Sequence, residues 1–284
     1  MDGVFLINKR IGWTSFDVCN RIRKKFNTKR VGHNGTLDPF AEGLMLVAIG
    51  RATKILNYLE AADKVYEATL TLGKTTDTLD LTGEVTLEKE VPFLNEKLIR
   101  ETLSSFVGQI KQTAPLYSAL KKDGLPLYYY ARNGIEVEAK VRDVNIYSIT
   151  LNSFTNNTIC FTSNVGKGTY IRSLGADIAL KLGTVGYLSS LKRIKMAKFD
   201  LKDAKDVDEV TENDLISIKD ALFNIQTIEV DSQTEIKIRN GVKLDLEGDD
   251  IILLINENQE ALALYQKCED GKYKTLRGLF NANN

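Results

Sequence analysis

The sequence predicts an α+β protein in two parts, a large domain over residues 1–227 and a small β-rich domain over residues 228–284. Three observations lead there. A length of 284 residues fits one large domain plus a small one. Strand-like runs such as Lys64–Leu72 (KVYEATLTL) stand beside amphipathic helical stretches such as Asn95–Phe106. Near the end, short strand signals at Ile251–Ile255, Leu262–Gln266 and Tyr273–Leu276 are separated by Gly, Asp and Asn turns, the pattern of a small appended β domain.

In chain order, Gly3–Asn8 reads as a short buried strand, and Thr14 opens a capping box with Asp17. A helix over about Ser15–Phe26 places Val18, Cys19, Ile22 and Phe26 on one face, leaving Arg21, Arg23, Lys24 and Lys25 mostly outside it. The apolar run Leu44–Ile49 is a central strand, and Arg51–Ala62 is helical with Ile55, Leu56 and Leu59 inward. Lys64–Leu72 alternates, with Tyr66, Ala68, Leu70 and Leu72 on one face. Residues 73–83 form a polar loop rich in Thr and Asp, too long for a simple hairpin turn. The Asn95–Phe106 helix turns Leu98, Ile99, Leu103 and Phe106 inward and stops at Gly108. Strands follow at about Val141–Phe154 and Thr158–Asn164, joined at Asn156-Asn157. A helix opens after Gly166-Lys167-Gly168-Thr169-Tyr170 and ends near Gly183, and the acidic stretch from Asp200 to about Ile228 is expected to be helical.

Composition narrows the chemistry. A hydrophobic fraction of 43% with 27% charged residues is that of an ordinary soluble domain. Without a spanning apolar run or a signal-peptide pattern, a cytoplasmic location without membrane attachment is expected. Cys19, Cys160 and Cys268 lie far apart, so neither a zinc site nor a disulfide framework is indicated. The single histidine excludes an HExxH site and leaves any Ser-His triad dependent on His33. The two glycines at 166 and 168 could cradle an anion, but their spacing is not that of a nucleotide-binding P-loop. Zero net charge hides an uneven distribution. Residues 1–60 carry ten Lys/Arg against five Asp/Glu, residues 161–198 seven against one, and residues 199–284 ten against nineteen. Two basic segments could hold a polyanion on one face, or could simply be solvated helix faces.

The stretch Val31–Gly43 is the chemical centre. It contains His33, glycines at 32, 35 and 43, and Asp38 followed by Pro39. Glycine admits positive φ, while the proline biases Asp38 towards extended backbone, so the carboxylate is held out on a stiff loop; the same residues also make ordinary turns. Further along, Tyr117, Tyr128, Tyr129 and Tyr130 are interleaved with Lys121, Lys122 and Arg132, a mixture suited to stacking on bases beside phosphates, although singly each tyrosine also suits a core. An aspartate on a rigid loop, an accessible tyrosine and an arginine in a basic segment suggest chemistry on a nucleic acid without metal or cofactor. If Arg172 approaches Asp38, its charge would favour the ionised carboxylate. A base inside folded RNA is stacked and must be flipped out, and flat side chains must brace the gap; His33 and Tyr66 suit those tasks.

At these residues the chain resembles the TruB-type tRNA pseudouridine synthases. Gly32-His33-Asn34-Gly35-Thr36-Leu37-Asp38-Pro39 with Ala41 and Gly43 is similar to their GHxGTLDPxAxG signature. Around it stand Gly50-Arg51-Ala52-Thr53-Lys54, Lys64-Val65-Tyr66, Leu72-Gly73 with Thr76-Asp77-Thr78 and Asp80, Pro115 with Tyr117-Ser118-Ala119-Leu120-Lys121, Tyr130-Ala131-Arg132, and Lys167-Gly168-Thr169-Tyr170-Ile171-Arg172, in family order across about residues 3–195. The resemblance implies a mixed, mainly antiparallel catalytic sheet of pseudouridine-synthase type with a central RNA cleft, and a PUA-like RNA-binding domain at the C-terminus. It implies isomerisation of uridine to pseudouridine at position 55 in the T loop of transfer RNA, by base flipping. Asp38 then resembles the nucleophile, Tyr66 the tyrosine that stacks on the flipped uracil and helps to remove a proton, and Arg172 the arginine paired with the aspartate. Tyr170 lines the pocket, Leu191 packs against the uracil, and His33 enters the T loop where the flipped base was stacked. Gly35, Thr36, Leu37, Asp80 and Lys121 carry over as further substrate-binding positions. No cofactor and no metal are implied. The partner is transfer RNA, through its T-arm stem-loop, and the protein is expected to act as a monomer without a protein partner. A transfer-RNA-binding folding chaperone with secondary catalysis is the alternative, and a guide-RNA-dependent relative a third reading. The chain departs from the family at Lys9-Arg10-Ile11-Gly12, where the usual motif is Lys-Pro-x-Gly; the change should touch local stiffness or RNA contact rather than the chemistry.

Overall fold

The structure, a computed structural model, describes residues 1–59, 63–118, 120–137 and 140–280. The chain begins with β1 (Gly3–Lys9), α1 (Ser15–Lys25), β2 (Val31–Asn34), β3 (Glu42–Ile49), α2 (Leu56–Leu59) and β4 (Lys64–Leu72). The short strands β5 (Lys74–Thr76) and β6 (Val85–Glu88), helix α3 (Glu96–Ser104), β7 (Gly108–Thr113), β8 (Lys121–Lys122), β9 (Leu125–Pro126) and α4 (Leu127–Arg132) follow. The long hairpin of β10 (Val141–Phe154) and β11 (Thr158–Val165) leads to α5 (Ile171–Lys181), β12 (Gly186–Met196) and β13 (Phe199–Asp200). The C-terminal part holds α6 (Ile218–Ala221), β14 (Gln226–Glu229), α7 (Ser232–Arg239), β15 (Ile251–Ile255), β16 (Ala261–Lys267) and β17 (Tyr273–Gly278).

Among the described residues one nine-stranded sheet runs β1-β3-β12-β4-β11-β10-β7, with β2 also on β3 and β13 on β12. Every pairing in it is antiparallel except β3 with β12, so the sheet is mixed and mainly antiparallel, as expected. Burial explains why some strands were easy to read. Strand β3 packs Leu44, Leu46 and Ala48 on one face and Met45, Val47 and Ile49 on the other, so it reads as a continuous apolar run. Strand β4 buries Tyr66, Ala68, Leu70 and Leu72 in the core under α5 and α3, and so it alternates. Helix α1 begins at Thr14 with the anticipated reciprocal capping box and buries Val18, Cys19 and Ile22 against β1 and β3.

The C-terminal sheet runs β14-β15-β16-β17 and has its own core with α7. Its other face shares an apolar cluster with the large sheet, where Leu253, Ile255 and Leu264 meet Val4, Leu6 and Leu46.

Two expectations need correction, and one strand was not anticipated. The acidic segment from Asp200 to Ile228 is not a helix: it holds two 3-10 turns and the single turn of α6. Its carboxylates cap local turns, Asp200 accepting from Lys202 N at 3.0 Å and Asp214 from Thr211 N at 2.8 Å. Its backbone pairs with β1 instead, through Val4 N to Ile216 O and Asn8 N to Lys205 O, both 2.9 Å. The helix expected at Arg51–Ala62 is a 3-10 stretch over Gly50–Ile55 followed by α2, and its last three positions lie outside the described residues, as does Ala119. Strand β12 at the centre of the sheet was not foreseen. Two bulges, at Leu188/Ser190 and Arg193/Lys195, break its period of two, and a buried Arg193 disguises an inward position as a polar one.

Candidate active site

The Asp38 loop joins β2 to β3 and is held from outside by the segment before α1. Ser15 Oγ accepts from Leu37 N at 3.0 Å, and Gly12 N donates to Pro39 O at 2.7 Å. Leu37, Phe40 and Ala41 are buried beneath it. The loop ends at Gly43, with φ +108°, where a Cβ would overlap the backbone of Arg193 on the parallel neighbour β12. Only glycine lets the two strands approach at that register, which brings the Asp38 loop onto the sheet. The stiffness expected from Asp38-Pro39 is therefore supplied by docking on both sides as well as by the proline.

Arg172, in the first turn of α5, is 4% exposed and joins four groups. Its Nε lies 2.9 Å from Asp38 Oδ2 and its second guanidinium nitrogen donates to Asp38 Oδ1 at 3.2 Å. The guanidinium also reaches Asp80 Oδ2 at 3.4 Å and donates to the carbonyls of Thr78 at 2.7 Å and Tyr117 at 2.8 Å. Asp80 is fixed in turn: its Oδ1 accepts from Thr78 Oγ1, Thr82 N and Thr82 Oγ1 at 2.5 to 2.9 Å. The threonines of the polar loop thus hold one carboxylate on the far side of Arg172, while Leu79 and Leu81 pair with Leu188 of β12 and anchor the loop to the sheet. Burial pushes the Asp38 carboxyl above the usual carboxylate range and the nearby Asp80 adds to this, against the pull of Arg172. Arg172 meets Asp38 and favours the ionised carboxylate as expected, with burial as the larger opposing effect.

Tyr66 stands on β4, directly across from Arg193 of β12. Arg193 is fully buried, and its guanidinium donates to Leu44 O at 2.6 Å, Gly35 O at 3.1 Å and the Tyr66 hydroxyl at 3.5 Å. It ties the tyrosine to the start of the Asp38 loop. Nothing in the local sequence marks Arg193, a charged residue inside β12. Lys9 was also undervalued: it is 1% exposed, donates to Arg10 O at 3.1 Å and Trp13 O at 2.6 Å, and is pulled down by burial from 10.5 to about 8. Gln112 is a third missed residue, exchanging two hydrogen bonds with the backbone of Tyr170 at 2.8 and 3.1 Å. Each is a polar residue inside a strand, and only burial distinguishes it from an ordinary surface position.

One cavity of about 300 Å³ gathers Gly35, Thr36, Leu37, Asp38, Tyr66, Tyr170, Arg172 and Leu191. A second, of about 750 Å³, adjoins it through Thr36, Leu37, Asp38 and Arg172 and adds His33, Asp80, Tyr117 and Tyr128. Ten of the eleven sequence-derived site residues are therefore brought together. Lys121 lines neither cavity; it is exposed on the small β8–β9 hairpin. His33 is half-buried, its Nδ1 has no hydrogen-bond partner among the described residues, and burial followed by the charge of Arg193 lowers its pKa. Arg10, at the position where a proline was expected, forms ion pairs with Asp206 at 2.6 Å and Asp208 at 3.0 Å. Arg21 binds Asp208 at 2.6 Å, so part of the N-terminal basic segment is neutralised by the acidic segment it meets. Among the described residues no cluster of His, Cys, Asp or Glu is fit to hold a metal, and no helix is long and apolar enough to cross a membrane.

The fold is that of the pseudouridine synthases of the Cbf5 and TruB type. The chain aligns over 99% of its length with 86% of a chain in the crystal structure of a Cbf5-Nop10-Gar1 complex, at TM-score 0.74 and 23% identity. A chain in the structure of an H/ACA RNP bound to a substrate RNA containing 2'-deoxyuridine gives TM-score 0.73 at 20% identity, over 99% of this chain and 86% of that one. Residues 23–171 match the TruB family pseudouridylate synthase (N terminal domain), and the chain belongs to that family. Proteins named tRNA pseudouridine synthase B are similar to it. That of Geobacter sulfurreducens is 39% identical over 250 residues, covering 85% of this chain and 82% of its own. That of Acholeplasma laidlawii is 42% identical over 245 residues, covering 86% and 87%.

Proposed function

We propose that this chain isomerises uridine to pseudouridine at position 55, in the T loop of transfer RNA, with Asp38 as the nucleophile. The observation that carries the proposal is the Asp38 carboxylate, held 2.9 Å from Arg172 on a docked loop, with Tyr66 and Leu191 lining the same cavity. Membership of the TruB family supports the reaction, and the names of the relatives support transfer RNA as the substrate. In this reading the target nucleotide leaves its stack and enters the smaller cavity, while His33 fills the place it vacated. Asp38 attacks the nucleotide and bonds to it, the bond between N1 and C1′ breaks, the uracil turns between Tyr66 and Leu191, C5 bonds to C1′, and the bond to Asp38 breaks to free the carboxylate for the next turnover. The proton that leaves C5 is balanced by one taken up at N1, with Tyr66 helping to remove it, so no oxidant, reductant or cofactor takes part. Gly35, Thr36, Leu37, Asp80 and Tyr170 shape the pocket, and Lys121 meets the phosphate backbone from its hairpin. Residues 228–284 serve as a PUA-like RNA-binding domain, and the chain works as a cytoplasmic monomer without a protein partner.

The test is the purified chain alone on an unmodified transfer RNA transcript and on its T-arm stem-loop. Pseudouridine at position 55 in both is the expected result. Product at another position, or product only after adding a guide RNA or partner protein, would overturn the proposal.

A further inference from the structure

Phe16 is 61% exposed in the first turn of α1, although that helix buries a well-defined apolar face of Val18, Cys19 and Ile22. The ring is not left loose. The guanidinium carbon of Arg23 lies over it at 5.3 Å, and that guanidinium is itself anchored, donating to Asn20 Oδ1 at 2.6 Å and Val31 O at 3.0 Å. The ring also lines the larger cavity, together with His33, Asp38 and Tyr128. Its place relative to the reacting carboxylate is fixed by the chain on either side. Ser15, its neighbour, accepts from the backbone of Leu37, the residue before Asp38, and the Thr14–Asp17 capping box holds the helix start. An exposed phenyl braced by an anchored cation inside the catalytic cleft contributes little to the core, and it presents flat apolar surface to whatever enters.

We propose that Phe16 is a stacking platform for an unpaired base of the T loop, one next to the nucleotide that is flipped out. The chemistry favours a nucleobase: flat, aromatic, and able to lie on a phenyl ring whose neighbours are histidine, tyrosine and arginine, the residue types on which splayed RNA bases stack. Phe16 is then a specificity-determining contact that registers the loop while Asp38 receives the flipped uridine. The inference rests on the proposed T-loop substrate.

The test uses Phe16→Ala and Phe16→Trp in the full chain, with T-arm stem-loops carrying 2-aminopurine at each loop position in turn. In the parent, fluorescence should be quenched at one position beside the flipped nucleotide. Phe16→Ala should lose that quench and weaken binding roughly five- to 150-fold, the range seen on removing a stacked aromatic. The loss should fall on Kd and KM more than on the single-turnover rate at saturating RNA, the melting temperature should hold because the ring is exposed, and Phe16→Trp should restore binding. An unchanged Kd and an unchanged quench in Phe16→Ala, with the parent making pseudouridine at position 55, would overturn the inference alone. A parent that makes no product in the stem-loop would overturn the proposed function instead.

Discussion

Replacing Arg172 by alanine tests the junction on which the site depends. The guanidinium is 4% exposed and contacts Asp38, Asp80 and the carbonyls of Thr78 and Tyr117, so it neutralises two carboxylates and ties two loops at once. Removing one partner of a buried pair costs about 3–5 kcal/mol, because the other charge is left uncompensated. The Asp38 side chain is 33% exposed and water can reach it, which places the expected loss near the lower end, about 3 kcal/mol. For a chain of this size that is a fall in melting temperature of roughly 6–12 °C. Arg172→Lys keeps the charge but not the fork, so it should recover only part of the loss. In an Asp38→Asn background the same substitution should cost at least about 1 kcal/mol less, since one of the stranded charges is gone. Thermal and urea unfolding of Arg172→Lys and of the four proteins of the cycle, parent, two singles and double, reads all of these. If Arg172→Ala melted within a degree or two of the parent, with no dependence on residue 38, the reasoning from a shared buried counterion would be refuted.

Tyr66→Phe removes a hydroxyl whose hydrogen bond is a long one, 3.5 Å to Arg193, so stability should change by less than about 1 kcal/mol while the single-turnover rate falls roughly 10²- to 10⁴-fold. Equal loss of rate and of stability would point to a structural tyrosine. Lys9 is depressed from 10.5 to about 8 in the folded chain, so its contribution to stability is present above 10.5 and is lost as pH falls through about 8. Unfolding free energy measured from pH 8 to 10.5 should therefore rise by about 3 kcal/mol in the parent more than in Lys9→Met, and equal slopes would contradict the burial of that ammonium group. Asp38 is raised, so its favourable contribution to folding is present below the unfolded carboxylate value and is lost as pH rises through the folded one. Because the proposed attack by Asp38 requires the ionised form, the acid limb of the single-turnover rate should lie above 3.8, and a limb at or below that value would show that Arg172 outweighs burial.

The central elements were legible where burial on one or both faces left a plain signature. The apolar run of β3, the alternation of β4 and the Thr14–Asp17 capping box could all be read directly. The site was legible where glycine and proline punctuate the Asp38 loop and where a Thr- and Asp-rich stretch, too long for a simple hairpin turn, proved to be the long connection between β5 and β6 and the cage around Asp80. What stayed hidden depends on long-range contact. Arg193 and Lys9 are charged residues inside strands, and nothing local says that one bridges Gly35 to Tyr66 while the other is buried under Trp13. Strand β12 was missed because its bulges disturb the periodicity by which strands are recognised, and the acidic segment was misread because Asp and Glu suit turn caps as well as helix surfaces.

The most direct test of the whole account is Asp38→Asn, assayed for pseudouridine at position 55 of a T-arm stem-loop in a single-turnover experiment with binding measured in parallel. The substitution keeps the side chain's shape and leaves Arg172 with Asp80, Thr78 and Tyr117. No product, with Kd within a few-fold of the parent, is the predicted result; turnover near that of the parent would contradict an aspartate nucleophile at this position.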